Sequence, residues 1–407
     1  LPPDPDAARR ALPAFAALSA AYFAALGLFN LYAPLWFKGW GIGPFGLGVL
    51  AAVPSLTRLF GPYLWGWWAD RHGERVRWIR RACAATWAFA LLYLWPGPGL
   101  PLAWQAEPLF WLAAITAGVF LSNAGIMPLG EAVVSQIVSV EGTLNAGAYG
   151  RVRVWGSVGF LCSVLGFGFW FERMGVDTFA PALLLIFSLI WATSYWTPLQ
   201  HDGIRAGDGD EPMPSMAPVL ARPEFRWALA GIVFTVLAHM ALYAFLSLYL
   251  TALGHGPAVI GAAWGVSVAV EIVWFWFQGR WFGRAIHPWL IATSLVSALR
   301  FALTAAAGMH LWVLLVAQVL HALSFAAQHT ASVALIQQHF PGRLRSRGQA
   351  LYSAVGYGVP GVLGSLGGGW LAQHMGYQSV FWAASASALM GAICAWRAMK
   401  MPNLLEI

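Results

Sequence analysis

Six ionisable side chains fall in or at the edge of long apolar stretches: Arg58, Glu131, Arg153, Glu271, Arg300 and His321. A charge at mid-bilayer costs several kcal/mol unless paired or hydrated, so each is a functional candidate. At 1.5 Å per residue, Glu271 lies about 21 Å along its expected helix, and Arg300 and His321 lie about 10 and 15 Å from the outer ends of theirs. All three can meet in the central third of the second half of the chain. Burial favours a neutral carboxyl and a nearby guanidinium favours the carboxylate, so an acid alternating between these surroundings binds and releases one proton per cycle. Glu271 is the candidate proton carrier, with a static Glu271–Arg300 clamp as the alternative. His321, with a reference pKa of about 6.5, suits a relay or a substrate contact; a hydrogen-bonded packing role is the plainer reading.

Glu131 and Arg153 form the corresponding pair of the first half. They face a substrate, or, if the helix carrying Glu131 ends by Ser135, Glu131 is interfacial and inexpensive. Arg58 has no acid in its own helix before Asp70, so it binds either an anionic substrate or a helix-end carbonyl. Neutral polar groups able to line a cavity are Asn30, Asn123, Ser267, Gln318 and Gln328. Most of the 24 Trp, 25 Phe and 11 Tyr are lipid-facing bulk or interface belt. A minority, including Tyr22, Phe29, Tyr32, Phe160 and Tyr243, can stack on a planar or sugar-like ring.

The elements that must hold these groups are membrane helices. Of 407 residues, 59% are hydrophobic and 10% charged, against roughly 45–50% and about 25% in soluble domains. Apolar runs of about 20 residues, enough to cross a hydrocarbon core, recur along the chain. They predict helices over 13–37, 45–69, 79–96, 108–134, 150–171 and 178–198. A Gly-, Pro- and acid-rich linker follows at 199–224, then helices over 225–252, 257–281, 288–307, 311–339, 346–371 and 378–399. The expected fold is an all-α membrane protein of twelve transmembrane helices in two pseudo-symmetric six-helix bundles, residues 1–198 and 225–407. With the N-terminus inside, 19 of the 23 Lys and Arg residues are cytoplasmic, Lys38 and Arg173 are outside, and Arg58 and Arg300 lie within helices. That alternation predicts cytoplasmic termini. Seven glycines of the eleventh helix, Gly356 to Gly369, predict close helix packing, with packing that also has to slide or bend during transport as the alternative.

After the second helix the chain reads Gly66-Trp67-Trp68-Ala69-Asp70-Arg71-His72-Gly73-Glu74-Arg75. This resembles the G-x-x-x-D-R-x-G-x-R signature of the major facilitator superfamily. Asp70 at a helix end can pair with a neighbouring Arg, and Gly73 permits the tight reversal, so Gly66, Asp70, Arg71, Gly73 and Arg75 are the expected gating residues. The loop Gln278-Gly279-Arg280 to Arg284 keeps the bases without the acid, which implies a weaker or differently built gate in the second half. Across almost its whole length the chain is similar to the 3-phenylpropionate permease-like branch, a neighbour of lactose permease and the nucleoside/proton symporters. The resemblance is carried by Tyr22-Phe23, Gly27 and Pro34-Leu35, by Arg58 to Gly66, by Tyr149 to Phe160, and by Gln349 to Ser353. Such symporters imply acids in helices 4 and 8, arginines in 5 and 9 and a histidine in 10, matched by Glu131, Glu271, Arg153, Arg300 and His321. Lactose permease has a second acid one turn after that histidine; Ser324 stands here, so the proton carrier must lie elsewhere.

The resemblance and the buried charges together predict proton-coupled symport of a small organic solute by alternating access, in the bacterial inner membrane, by a monomer. An aromatic carboxylate is the first substrate expected, a sugar or nucleoside the second, and efflux of a hydrophobic compound the third. No nucleotide-binding, metalloprotease or serine-hydrolase motif occurs, so no enzymatic activity, cofactor or metal is expected. The net charge of +7 sits in short interhelical clusters, which argues for loop charge and against nucleic acid. Cys83, Cys162 and Cys394 have no paired spacing and read as packing residues.

Overall fold

The structure, a computed structural model, describes residues 5–72, 74–94, 108–140, 143–144, 146–198, 215–278, 286–341 and 344–401. The described residues are helical almost throughout. Its helices are α1 (Pro5–Gly39), α2 (Pro44–His72), α3 (Arg75–Leu91), α4 (Pro108–Asn123 and Ile126–Val138), α5 (Ala146–Met174) and α6 (Phe179–Trp196). One turn, Ala217–Ala221, leads into α7 (Pro223–Ala252), α8 (Pro257–Phe277) and α9 (Ile286–Ala307). Next come α10 (Leu311–Val319, a π-helical Ala322–Ala327, Gln328–His339), α11 (Arg345–Leu351, a π-helical Tyr352–Gly358, Val359–Met375) and α12 (Tyr377–Lys400). Among the described residues, ten helices are long and apolar enough to cross a membrane; α3, which opens on four arginines, and the interrupted α11 are not among them. A two-residue hairpin, Ser139–Val140 against Thr143–Leu144, joins α4 to α5.

The irregularities have local causes. Pro128 lacks an N–H and crowds the carbonyl four residues back, and α4 breaks there, at Ala124–Gly125. The Trp65 indole donates to the Leu121 carbonyl beside the break at 2.8 Å. Pro360 stands four residues after Gly356 and has no N–H to offer its carbonyl, and α11 is π-helical just before it, over Tyr352–Gly358. Arg80 of α3 caps the end of α6, donating to the carbonyls of Ser194, Tyr195 and Thr197 at 2.9–3.3 Å, so one arginine of the basic cluster closes orphan carbonyls.

Two compact units divide the chain, one of residues 1–42 and 56–208, the other of 43–55 and 209–407. In the first, α1 packs along α5. Gly159 makes this possible, because a Cβ there would run into the Ala20 carbonyl. Ser163 adds a hydrogen bond to the Ala24 carbonyl at 2.7 Å. In the second, α7 lies against α9 and α12, and the Thr235 and Ser294 hydroxyls join α7 to α9 at 2.7 Å. The first half of α2 joins this unit: Gly48 approaches the Ser365 carbonyl and Gly369 so closely that neither glycine tolerates a side chain. On α11, Gly364 and Gly368 likewise press against Met240 and Phe245 of α7, whereas Gly367 meets open space.

Candidate functional site

Arg300, on α9, is fully buried, and its hydrogen bonds are made to α10. Nε donates to the Ala317 carbonyl (2.7 Å), Nη2 to Gln318 Oε1 (3.0 Å), and Nη1 to Ser324 Oγ (3.2 Å) and to His321 Nδ1 (2.8 Å). A guanidinium only donates, so Nδ1 of His321 accepts and the ring proton sits on Nε2. That nitrogen faces Glu271 Oε2 of α8 at 3.5 Å. Ser267 of α8 closes the circuit by donating to Gln318 Oε1 at 2.9 Å. The three expected residues therefore come together, but in the order Arg300, His321, Glu271. Glu271 and Arg300, expected in the alternative reading to form a direct clamp, are linked here through the imidazole.

The arrangement is graded in exposure. Arg300 is 0% exposed, the His321 side chain 3% and the Glu271 side chain 22%, so the acid end of the relay is the end within reach of water. At 3.5 Å the His321–Glu271 link is at the limit of a hydrogen bond, and a rotamer change of Glu271 makes or breaks it. Ser324 Oγ, three residues beyond His321, is taken up by Arg300.

Aromatic rings extend the site along one face of α10. His321 and Phe325 stack at 5.0 Å with planes 5° apart, and Phe325 stacks on His329 at 6.2 Å. His329 Nδ1 lies 3.1 Å from both the Tyr352 and Tyr357 hydroxyls of α11. Tyr243 stacks on Trp264 of α8 at 5.7 Å. Both π segments fall in this neighbourhood, and such segments recur at functional sites. Trp264 and Phe325 escaped the sequence reading; the i, i+4 spacing of His321, Phe325 and His329 was the available signal.

In the first unit, Arg153 Nε lies 3.5 Å from Glu131 Oε1, both side chains about two-fifths exposed, and the guanidinium sits 4.3 Å from the Phe23 ring centroid. Helix α4 runs on to Val138, so Glu131 stands two turns before its end. The Phe23 ring in turn meets the Tyr22 ring edge-on at 5.4 Å. Arg58 is exposed. Beside the pair is a cavity of about 20 Å³, room for a single water. Ser19, whose buried hydroxyl has no hydrogen-bond partner among the described residues, lines it. Asn30 and Phe160 are half-buried and Asn123 is buried. Tyr32 is fully buried and donates to the Val164 carbonyl at 2.8 Å, a position in the α1–α5 interface.

Of the expected gate, Gly66 and Arg71 lie in the last turns of α2, Arg71 against the Trp67 ring at 5.5 Å, and Arg75 opens α3. The stacked pair Trp68–Trp78, 6.0 Å apart, joins the two helices. Gly73, the Asp70 side chain, Arg280 and Arg284 lie outside the described residues.

A family model described as the MFS_1 like family matches residues 17–383. The chain is 25% identical over 370 residues to a probable 3-phenylpropionic acid transporter of Escherichia coli (strain K12), covering 90% of this chain and 93% of that one. It is also 25% identical over 348 residues to a maltose permease of Geobacillus stearothermophilus, covering 85% and 84%. Among solved structures, a mutant of the nucleoside transporter NupG superposes with a TM-score of 0.80 at 13% identity, covering 96% of this chain and 100% of that one. The POT family transporter PepTSo gives 0.71 at 10%, covering 96% and 98%. At these structural identities the likeness carries the fold alone.

Proposed function

The chain belongs to the MFS_1-like family, and on that footing we propose that it is a proton-coupled symporter of a small organic solute working by alternating access. One observation carries the reading: a fully buried guanidinium is tied to a partly hydrated acid through a single imidazole, Arg300–His321–Glu271. Such a relay makes and breaks the contact between Glu271 and His321 as the helices shift, and the acid takes up or gives up a proton with each change. Glu271 is the proton carrier, His321 the relay, and Arg300 the fixed charge that biases both.

Solute recognition falls to the first unit, where Arg153 pairs with Glu131 and lies over the Phe23 ring, which meets Tyr22 edge-on. An aromatic carboxylate suits this set: Arg58 or Arg153 receives the anion, and Phe23, Tyr22 and Phe160 offer ring faces. The name of the Escherichia coli relative, a probable 3-phenylpropionic acid transporter, agrees with that class. The exposed Glu131–Arg153 pair favours a second reading, a hydroxyl-rich solute such as a sugar, in line with the maltose permease relative.

The proposal includes twelve spanning helices in two six-helix bundles, 1–198 and 225–407, both termini cytoplasmic, in the inner membrane of a bacterium as a monomer. The excess of Lys and Arg in alternate loops supports the orientation. The test is a thermal-shift screen of aromatic acids, glycosides and nucleosides on the purified protein, followed by uptake of the best binder into proteoliposomes under an imposed pH step. Stabilisation by aromatic acids and gradient-driven uptake are expected; a binder whose uptake ignores the gradient refutes coupling.

A further inference from the structure

A second buried acid lies where the linker enters the second unit, outside the relay described above. Glu224, in the first turn of α7, is 4% exposed. Its Oε1 lies 3.5 Å from Nε2 of His287, near the start of α9, and 3.8 Å from Nε2 of His339, the last residue of α10. Three helices thus bring one carboxyl and two imidazoles together. Apolar side chains close round them: the Phe225 ring packs on His339 at 5.1 Å, and Val219, Ile336 and Phe340 belong to the same core.

Counting donors and acceptors shows what is missing. His339 Nδ1 lies 3.0 Å from the Leu335 carbonyl, which only accepts, so Nδ1 carries a proton. A neutral His339 then turns an Nε2 lone pair toward the Glu224 oxygen, acceptor against acceptor, with little water to separate them. Neither His287 Nε2 nor His339 Nε2 has a hydrogen-bond partner among the described residues. One added proton converts the repulsion into a charge-assisted contact. The helix ends suit the resulting charges: Glu224 stands at an N-terminus and His339 at a C-terminus, where the macrodipole stabilises an anion and a cation respectively. The other charged groups at this end are Arg222 and Arg226 of α7, Arg347 of α11, and Arg397 and Lys400 of α12, while Arg280, Arg284, Arg343 and the Arg345 side chain lie outside the described residues. Arg397 sits against the Trp227 ring, and none of those described forms an ion pair with Glu224; its partners are the two imidazoles.

We propose that Glu224, His287 and His339 form a proton-binding site separate from the relay, and that its occupation ties the linker ends of α7, α9 and α10 together. The inference does not rest on the transport reading, because its ligand is the proton and its readout is the state of the imidazoles.

The test is 15N NMR of histidine-labelled full-length protein in nanodiscs, with His287 and His339 assigned by His287→Gln and His339→Gln. Between about pH 8.5 and pH 5.5, bracketing the ordinary histidine range, His339 is expected to become doubly protonated. Glu224→Gln, which removes the carboxylate facing Nε2, should reduce the doubly protonated fraction of His339 seen at the acid end. Should Glu224→Gln fail to fold, the melting temperature of His339→Gln replaces it: wild type gains stability on acidification through this window, and the variant loses that gain. A His339 that stays singly protonated to the acid end, or a titration identical in Glu224→Gln, overturns the proposal. So does a spectrum that responds to added Zn²⁺ or a chelator, which would make the occupant a metal ion, although the described residues hold no group suited to one.

Discussion

Arg300 reaches His321 at the nitrogen that must accept, Nη1 to Nδ1 at 2.8 Å, and thereby leaves the proton of the ring on the side of Glu271. The tautomer of the relay is set by a guanidinium, which can only donate. His321→Asn and His321→Phe separate the consequences. Asn retains a hydrogen-bonding side chain on α10, whereas Phe leaves a buried Arg300 donor unmet, at a cost of about 1–3 kcal/mol. Thermal unfolding in detergent should show the larger loss for Phe, and both should lose proton coupling.

Arg300→Lys tests the geometry and not merely the charge. The guanidinium serves four acceptors on α10, and a lysine has neither the planar fork nor the reach to replace them. The variant should lose about 2–4 kcal/mol of stability, read as a lowered melting temperature, and transport at any pH should fall with it.

Glu131→Gln and Arg153→Gln should behave oppositely. Their pair is about two-fifths exposed at 3.5 Å, so a double-mutant cycle on stability should give a coupling below about 1 kcal/mol. Solute affinity, measured by calorimetry or thermal shift, should fall about tenfold or more in each. A large stability coupling with unchanged affinity would make the pair structural.

Much of this was legible in the chain itself, and the reasons are physical. Apolar runs long enough for a bilayer have few alternatives to helix, so the helical segments fell close to their expected bounds. The break in α4 was not expected, although Pro128 is its cause. The order Arg300–His321–Glu271 was not legible, because helix depth gives height along the membrane axis and not which side chain stands between two others. Tyr32 looked like a cavity residue from its type, but its hydroxyl is taken by a carbonyl of α5. The Glu224 cluster escaped because Glu224 adjoins a polar linker and reads as a solvated helix start, while its two histidines lie far off in sequence. α3 begins earlier than expected, at Arg75, since its arginines cap and stack on neighbours instead of remaining in the loop.

Packing gives an independent prediction in the first unit. Gly159→Val should push α1 away from α5, because a Cβ already meets the Ala20 carbonyl, and overpacking of this kind costs about 1–3 kcal/mol. Gly66→Ala, where nothing lies within 4 Å, should leave the melting temperature unchanged. If both variants melt alike, the close approach of α1 and α5 is wrong.

The account turns on whether Glu271 carries the coupling proton. In proteoliposomes with an inward proton gradient, wild type should concentrate the solute above equilibrium. Glu271→Gln should abolish accumulation, while counterflow of labelled solute without a gradient stays within about twofold of wild type. Accumulation that persists undiminished in Glu271→Gln would contradict the account.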